Sequence, residues 1–294
     1  MTPFVDLHSH STASDGTFAP AEVVRLAARC GLSGMALTDH DTIGGIAEAA
    51  AEAKAAGIDF LTGIEISAEY APGTMHILGY GVDPGSKSLR ELTTQLIEGR
   101  DNRNPKIIAR LQELGVAITM EEVELEARSA EAERGGTRKP VGRPHIAAIL
   151  LRKGYGSSMK QAFDKYLAPG GSAYFDKERL TPRRALEMIH ESGGLPVLAH
   201  PVQLRTENDG QLERVIKDLK DLGLEGLEVI HSDHDAALVE KYGRLAERFG
   251  LVKTGGSDFH GTNKKDIQLG TANGRKVPRE WMDALVAKCG QKTR

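Results

Sequence analysis

Cysteine is nearly absent from this 294-residue chain, and the two present, Cys30 and Cys289, lie in helix-like segments without metal-type spacing. That pattern excludes a disulfide framework, suits a reducing compartment, and marks both thiols as structural. No window approaches roughly 18 consecutive apolar residues, so the pattern offers no membrane-crossing helix. The opening MTPFVDLHSH lacks a basic segment followed by an apolar stretch of signal-peptide length, and a cytoplasmic protein without membrane association is expected. Excess positive charge is missing too. With 38 Lys plus Arg against 41 Asp plus Glu, the net charge of −3 provides no overall field to gather long duplex nucleic acid. A small anionic substrate in a local basic pocket stays compatible with that balance. A glycine-rich phosphate loop is also lacking, which disfavours an open doubly wound sheet.

What is present is an alternation of short apolar runs and helical patterns. Phe4 to Leu7, Met35 to Thr38 and Phe60 to Ile66 read as strands; between them lie a helix opened by Pro20 and an alanine-rich helix from Gly45. Val23, Leu26, Ala27 and Cys30 follow the i, i+3, i+4, i+7 spacing of one buried helix face, and Gly31 and Gly57 stand where the two helices stop. Repeated βα units imply a mainly parallel sheet. The rhythm resumes with helices at 182–191, 211–222 and 236–249 and strands at 195–199, 226–230 and 252–255. Together with His76 to Tyr80 this makes roughly seven strands, and a chain of this length holds one α/β barrel of about 250 residues plus an insertion. Between Leu89 and Phe175 the spacing is helical, with Leu89, Leu92 and Leu96, then Ile107, Ile108, Leu111 and Leu114 after Pro105. The expectation is a barrel from residues 1–85 and 176–294, with a helical insertion at 86–175 covering the active site. Within the insertion, Glu121 to Glu133 is acidic, and the basic GGTRKP loop (Gly135 to Pro140) reads either as a solvated connection or as a lid.

Histidines and carboxylates recur where the predicted strands run out: His8, His10, Asp15, His40, Glu65, His76, His200, Asp258 and His260. His8 and His10 are one residue apart in an extended segment, so both imidazoles face the same way. Asp258 and His260 repeat that spacing near the other end of the chain. Glu65 follows apolar residues, and a carboxylate buried there without a partner is costly, so it calls for a cation. In TDHD, His40 is the preferred ligand, with Asp39 orienting an imidazole and Asp41 either a further polar group or a helix N-cap. Nine donors exceed what one ion needs and fit two or three. Imidazole and carboxylate without thiolate suit Mn²⁺, Zn²⁺ or Fe²⁺.

At HSHS, TDHD, the Glu65 strand and SDFH the chain closely resembles the PHP (polymerase and histidinol phosphatase) superfamily of metallophosphoesterases. VGRPHIA (Val141 to Ala147), the following KGY, and LAHP resemble its cytoplasmic branch, which acts on nucleoside 3′,5′-bisphosphates and short oligoribonucleotides. The resemblance implies an α/β fold, a distorted (β/α)7 TIM-like barrel with an inserted helical subdomain, and a trinuclear centre, with Mn²⁺ foremost. It also implies ligand sets: His8, His10, Glu65 and Asp258 for one ion, Glu65, His76 and His200 for a second, Asp15, His40 and His260 for a third. Glu65, Asp258 and His200 are then the catalytic core. Where many relatives have an asparagine- and proline-containing segment, this chain continues EVIH with SDHD, which leaves His231 and His234 as either substrate contacts or a surface histidine pair.

The chemistry expected is in-line hydrolysis of a phosphate monoester by hydroxide generated at the cluster, without a covalent enzyme intermediate. Arg143 with His145, and Lys177 with Arg179, are candidate phosphate-binding cations, each weighed against a structural salt bridge. Ser67 and His234 are further candidate substrate contacts. The substrate expected is a nucleoside 3′,5′-bisphosphate or a short 5′-phosphorylated oligoribonucleotide, with no obligate protein partner. Histidinol phosphate is the alternative substrate. A noncatalytic metal-stabilised scaffold is the alternative class, but such a scaffold would have lost several ligand positions.

Overall fold

The computed structural model describes residues 2–132, 142–168, 170–175 and 179–292. The chain divides into two compact units, Met1–Thr93 with Arg179–Arg294, and Thr94–Glu178. In chain order the elements are β1 (Phe4–Asp6), α1 (Pro20–Arg29), β2 (Gly34–Leu37), α2 (Ile46–Ala56), β3 (Asp59–Ala68), β4 (Met75–Tyr80) and α3 (Lys87–Glu113). These are followed by α4 (Met120–Ala132), α5 (Arg143–Arg152) and α6 (Met159–Ala162), then α7 (Pro182–Glu191), β5 (Leu195–Leu198), α8 (Asp209–Asp221), β6 (Gly226–Ile230), α9 (Ala236–Phe249), β7 (Val252–Gly255), β8 (Val277–Pro278) and α10 (Arg279–Lys292).

The first unit is a nearly closed barrel with strand order β7-β6-β5-β4-β3-β2-β1-β8. It closes beyond the regular strands. Leu7 N donates to Gly255 O (3.1 Å), Asp258 N to His8 O (2.8 Å) and His10 N to Phe259 O (2.9 Å), so the segments leaving β1 and β7 pair directly. A Cβ at Gly256 would lie 2.3 Å from His8 N, and only glycine allows this approach. The eighth strand, absent from the seven-strand expectation, is a two-residue piece antiparallel to β1. It is too short to register as a hydrophobic pattern.

Side chains alternate as strand geometry requires. Val5, Leu7 and Ala36 join Leu78, Tyr80, Leu195 and Val197 in the barrel interior, with Met282 and Leu285 of α10 packed against them. Phe4, Met35 and Leu37 face the other way, onto Val23, Val24 and Ala27 of α1 and Ala49 and Ala53 of α2. Pro20 occupies the first turn of α1, and Gly57 ends α2 in the left-handed conformation (φ 69°), donating to Ala53 O.

The sheet is less parallel than repeated βα units imply. β3 and β4 form a hairpin, and β4 runs antiparallel to both β3 and β5. This strand breaks the βα rhythm because a short hairpin with no helix joins it to β3. A second departure concerns Pro105, where the sequence suggests a new helix. α3 instead runs unbroken through it, despite an interior-proline cost of about 3 kcal/mol. The second unit has its own core, with Ile107, Ile108 and Leu111 packed with Val123, Ile146, Ile149, Leu150 and Leu167. The GGTRKP loop lies outside the described residues.

Candidate metal centre

The strand directions explain why the nine donors converge. The parallel strands end on one face of the barrel: β1 delivers His8 and His10, β2 His40, β5 His200, and β7 Asp258 and His260. β4 is antiparallel, so its beginning lies where the others end, and His76, its second residue, reaches the same face opposite Ser67. A histidine at the start of an apolar run joins histidines at the ends of others for this reason.

Glu65 is the hub, and its two oxygens face different groups. Oε2 lies 3.3 Å from His8 Nε2, 3.2 Å from His10 Nε2 and 3.0 Å from His40 Nδ1. Oε1 lies 2.8 Å from His76 Nδ1 and 3.0 Å from His200 Nε2. Asp258 Oδ1 faces His8 (3.5 Å), His10 (3.2 Å) and His260 (3.4 Å). Asp15, whose side chain is 48% exposed, places Oδ1 3.3 Å from His260 Nε2 and Oδ2 4.0 Å from His40 Nε2. Donor atoms of His8, His10, Glu65 and Asp258 all lie within 4.8 Å of one another, as do those of His40, Glu65 and His76, and those of His10, Asp15, His40 and His260.

Several of these atoms are deeply buried yet lack a hydrogen-bond partner: His8 Nε2, both ring nitrogens of His10, His40 Nδ1, Glu65 Oε2 and His200 Nδ1. Buried polar atoms are almost always satisfied, and a cluster of imidazole and carboxylate atoms left without partners fits cations. The donor set of six imidazoles and three carboxylates thus fits divalent ions. The electrostatics agree. Burial opposes ionisation of Glu65, but His40, His76 and His8 around it hold its carboxyl well below the usual range. Asp15 and Asp258 are likewise held low against burial by their imidazole neighbours. Burial pushes His40 down to about 3, leaving it neutral and able to ligate, whereas at His10 Asp258 and Glu65 outweigh burial and raise it to about 9.

A surrounding layer fixes these groups. Glu228 on β6 accepts from His8 Nδ1 (2.9 Å), which turns His8 Nε2 toward Glu65, and it also accepts from His200 N (2.7 Å). Burial opposes its ionisation, but His8 and His231 hold it down at about 2. Glu228 is absent from the sequence-derived site; its signal is a charged residue at an inward position of the apolar run GLEVI. Asp6 accepts from His8 N, Ser257 N and Gly270 N, tying the tip of β1 to the loop that carries Asp258. His260 Nδ1 hydrogen-bonds Asp258 O (2.8 Å), leaving Nε2 to face Asp15. Asp258 (φ 58°) and His200 (φ 21°) adopt sparsely populated backbone conformations, each costing on the order of 1–3 kcal/mol.

Other expected roles differ. Asp39 orients no imidazole; it accepts from Ser11 N, Ser11 Oγ and Ser14 Oγ at 2.6–2.7 Å and so shapes the loop bearing Asp15. Asp41 is not an N-cap, because α2 starts at Ile46 after Gly45; it accepts instead from Ser67 N (2.9 Å) at the end of β3. Ser67 is buried with its hydroxyl toward Asp41. His231 and His234 are no surface pair. Both are buried, His231 with Nε2 3.4 Å from Asp258 Oδ2, His234 bonded through Nδ1 to Val229 O and packed on Tyr242.

Arg143 and His145 open α5 in the second unit. Arg143 Nη1 donates to Leu167 O (3.0 Å), its guanidinium lies 5.8 Å from the Tyr174 ring centre, and His145 Nδ1 accepts from Gly142 N. Arg179 belongs to the first unit, next to Leu180, whose carbonyl accepts from Glu69 N just past β3. Lys177 lies outside the described residues.

Residues 6–232 match the PHP domain family. The chain is 35% identical over 265 residues to a 3′,5′-nucleoside bisphosphate phosphatase of Chromobacterium violaceum, covering 90% of each. It is 36% identical to a 5′-3′ exoribonuclease of Haemophilus influenzae (88% of this chain, 91% of the relative). It is also 35% identical to a phosphoribosyl 1,2-cyclic phosphate 1,2-diphosphodiesterase of Eggerthella lenta (87% and 94%). Among solved structures, a putative metal-dependent phosphoesterase from Bifidobacterium adolescentis superposes with a TM-score of 0.81 at 28% identity, covering 97% of this chain and 96% of that one.

Proposed function

Because this chain belongs to the PHP domain family and is a phosphoric ester hydrolase, we propose that it removes a phosphate from nucleoside 3′,5′-bisphosphates such as adenosine 3′,5′-bisphosphate, at a three-ion centre, Mn²⁺ foremost. The observation that carries this reading is the division of the Glu65 carboxylate, whose two oxygens face separate imidazole groups while Asp15, His40 and His260 form a third. These residues would hold divalent ions, whose chemistry when bound would be to activate water near neutral pH and to neutralise phosphoryl oxygens. The protein's part is to hold Glu65, Asp15 and Asp258 deprotonated, to keep His40 neutral, and to fix His8 and His200 through Glu228. The His200, Glu65 and Asp258 side chains are all buried, whereas Asp15 is half-exposed and His40 and His76 are each partly exposed, so the centre meets solvent along those three residues.

Support for a bisphosphate comes from the Chromobacterium violaceum relative and from the chemistry shared with the exoribonuclease. The first nucleotide of a 5′-phosphorylated RNA also carries phosphate on both its 3′ and 5′ oxygens, the 3′ one as a diester. One site can therefore serve both, and short oligoribonucleotides form a second substrate class; the net charge of −3 disfavours long polymers. In this reading Arg143, His145, Lys177 and Arg179, with Ser67 and His234, contact the nucleotide and its second phosphate.

The test is phosphate release by the Mn²⁺-loaded protein from adenosine 3′,5′-bisphosphate, AMP, a 5′-phosphorylated dinucleotide, a ribose 1,2-cyclic phosphate and histidinol phosphate, assayed side by side. Preference for the bisphosphate or dinucleotide is expected; preference for histidinol phosphate or the cyclic ester overturns the proposal. Arg143→Ala should weaken hydrolysis of the bisphosphate far more than that of a simple aryl phosphate, and equal losses remove Arg143 from the second-phosphate pocket.

A further inference from the structure

The two oxygens of Asp258 do not share one environment. Oδ1 faces His8, His10 and His260, whereas Oδ2 is held at 2.5 Å by the ammonium of Lys264, with His231 Nε2 at 3.4 Å on the same side. Lys264 follows a tight turn, Gly261–Asn263, that is pinned to the opposite loop of the centre. Asn263 Nδ2 donates to Asp15 O (2.7 Å) and Thr262 N to Thr17 Oγ1 (2.9 Å). A Cβ at Gly261 would meet Thr17 Oγ1 at 2.1 Å, so the turn is packed against that loop without slack. The Lys264 side chain is 39% exposed, while Asp258 beneath it is nearly buried. Lys264 thus runs from solvent to a carboxylate of the donor cluster, just after Asn263, which holds Asp15 O.

A cation in this place has a consequence for the ions. Lys264 and a divalent ion held by Asp258 would share one carboxylate, and their like charges would repel across it, so the lysine alone would weaken ion binding. An anion placed between them reverses the sign. An ammonium has three donors, of which the bond to Asp258 uses one, and a phosphoryl group is a strong acceptor for the others. We propose that Lys264 is a phosphoryl-binding residue of this centre, gripping an oxygen of the phosphate that sits on the ions and coupling phosphate binding to metal binding. The proposal rests on the phosphoesterase reading of the site.

The test uses full-length protein loaded with Mn²⁺, as wild type, Lys264→Met, which keeps the stem and removes the charge, and Lys264→Arg. Binding of inorganic phosphate is read by calorimetry and metal retention by elemental analysis after chelator competition, with and without phosphate. Lys264→Met should bind phosphate about 10- to 100-fold more weakly, the range for losing a hydrogen bond to a charged group. Without phosphate it should retain Mn²⁺ as well as or better than wild type, and phosphate should no longer strengthen that retention. Lys264→Arg should recover part of the phosphate affinity. Unchanged phosphate binding in Lys264→Met overturns the proposal, as does poorer Mn²⁺ retention without phosphate, the mark of a lysine that merely holds Asp258 in place. The binding readout uses no nucleotide. Weakened phosphate binding in a protein whose wild type hydrolyses none of the nucleotides would sink the substrate reading and leave Lys264's role standing, and the converse pair would do the reverse.

Discussion

With three ions bound as proposed, replacing Glu228 by Gln should loosen the ion sets built on His8 or His200 while leaving the set of Asp15, His40 and His260 intact. Glu228 is fully buried and uses both oxygens, one on His8 Nδ1 at 2.9 Å and the other on His200 N at 2.7 Å. Glutamine keeps one acceptor and turns a donor toward either the imidazole N–H or the peptide N–H, so one of the two bonds becomes a clash of donors. A hydrogen bond to a charged group contributes about 1.5–3 kcal/mol, and loss of a ligand's outer partner weakens metal binding about 10- to 100-fold, which is about 1.4–2.7 kcal/mol; the two ranges coincide. The affected sets contain His8 and His200, whereas Asp15, His40 and His260 touch neither Glu228 oxygen. Chelator titration with elemental analysis should therefore show loss of Mn²⁺ in two steps, the weaker class displaced about 10- to 100-fold earlier than in wild type. Circular dichroism of the variant should show the folded barrel. Wild-type affinity throughout, or loss confined to the Asp15 set, would refute the assignment of Glu228 as the group that orients His8.

Three further outcomes are expected. Asp39→Ala strands Ser11 N, Ser11 Oγ and Ser14 Oγ, so the urea midpoint should fall by the equivalent of about 1–3 kcal/mol; an unchanged midpoint would mean that water replaces the carboxylate. His10 is raised from the ordinary 6.5 to about 9 in the metal-free protein, so its stabilising charge is fully present below about 6.5 and is lost as pH rises through about 9. An incoming ion must displace that proton, so Mn²⁺ affinity should climb with pH up to about 9, and calorimetry in buffers of different ionisation heat should show proton release; buffer-independent heats would contradict it. Finally, Mn²⁺ at about 100 times its dissociation constant should stabilise the fold by about 2.7 kcal/mol for each ion bound, and chelation should remove that increment together with phosphate release.

Much of the centre was legible in the sequence because strands are locally patterned. Short apolar runs mark the strand ends, and a donor just past such a run lies on one barrel face whatever the details of packing. That logic covers His8, His10, His40, Glu65, His200, Asp258 and His260, whereas Asp15 follows in a loop and His76 begins its apolar run. It missed Glu228, which lies inside an apolar run, so only the pairing of its oxygens with His8 and His200 separates it from an unremarkable strand residue. It misread Asp39 because a carboxylate beside a histidine suggests an imidazole partner, whereas the Ser11–Ser14 loop folds back and takes its oxygens first. It left His231 and His234 open because nothing local reports their burial under Asp258 and Tyr242.

The sequence alone determined the donor chemistry, the barrel class and the family, since each follows from residue type, short-range period or motif. Tertiary structure decided how those donors are divided. The antiparallel course of β4 carries His76 to the shared face, the two oxygens of Glu65 separate two imidazole groups, and the turn after His260 brings Lys264 onto Asp258. These are contacts between residues far apart in the chain or around a turn, and strand direction and oxygen orientation are set by packing, for which no local pattern exists.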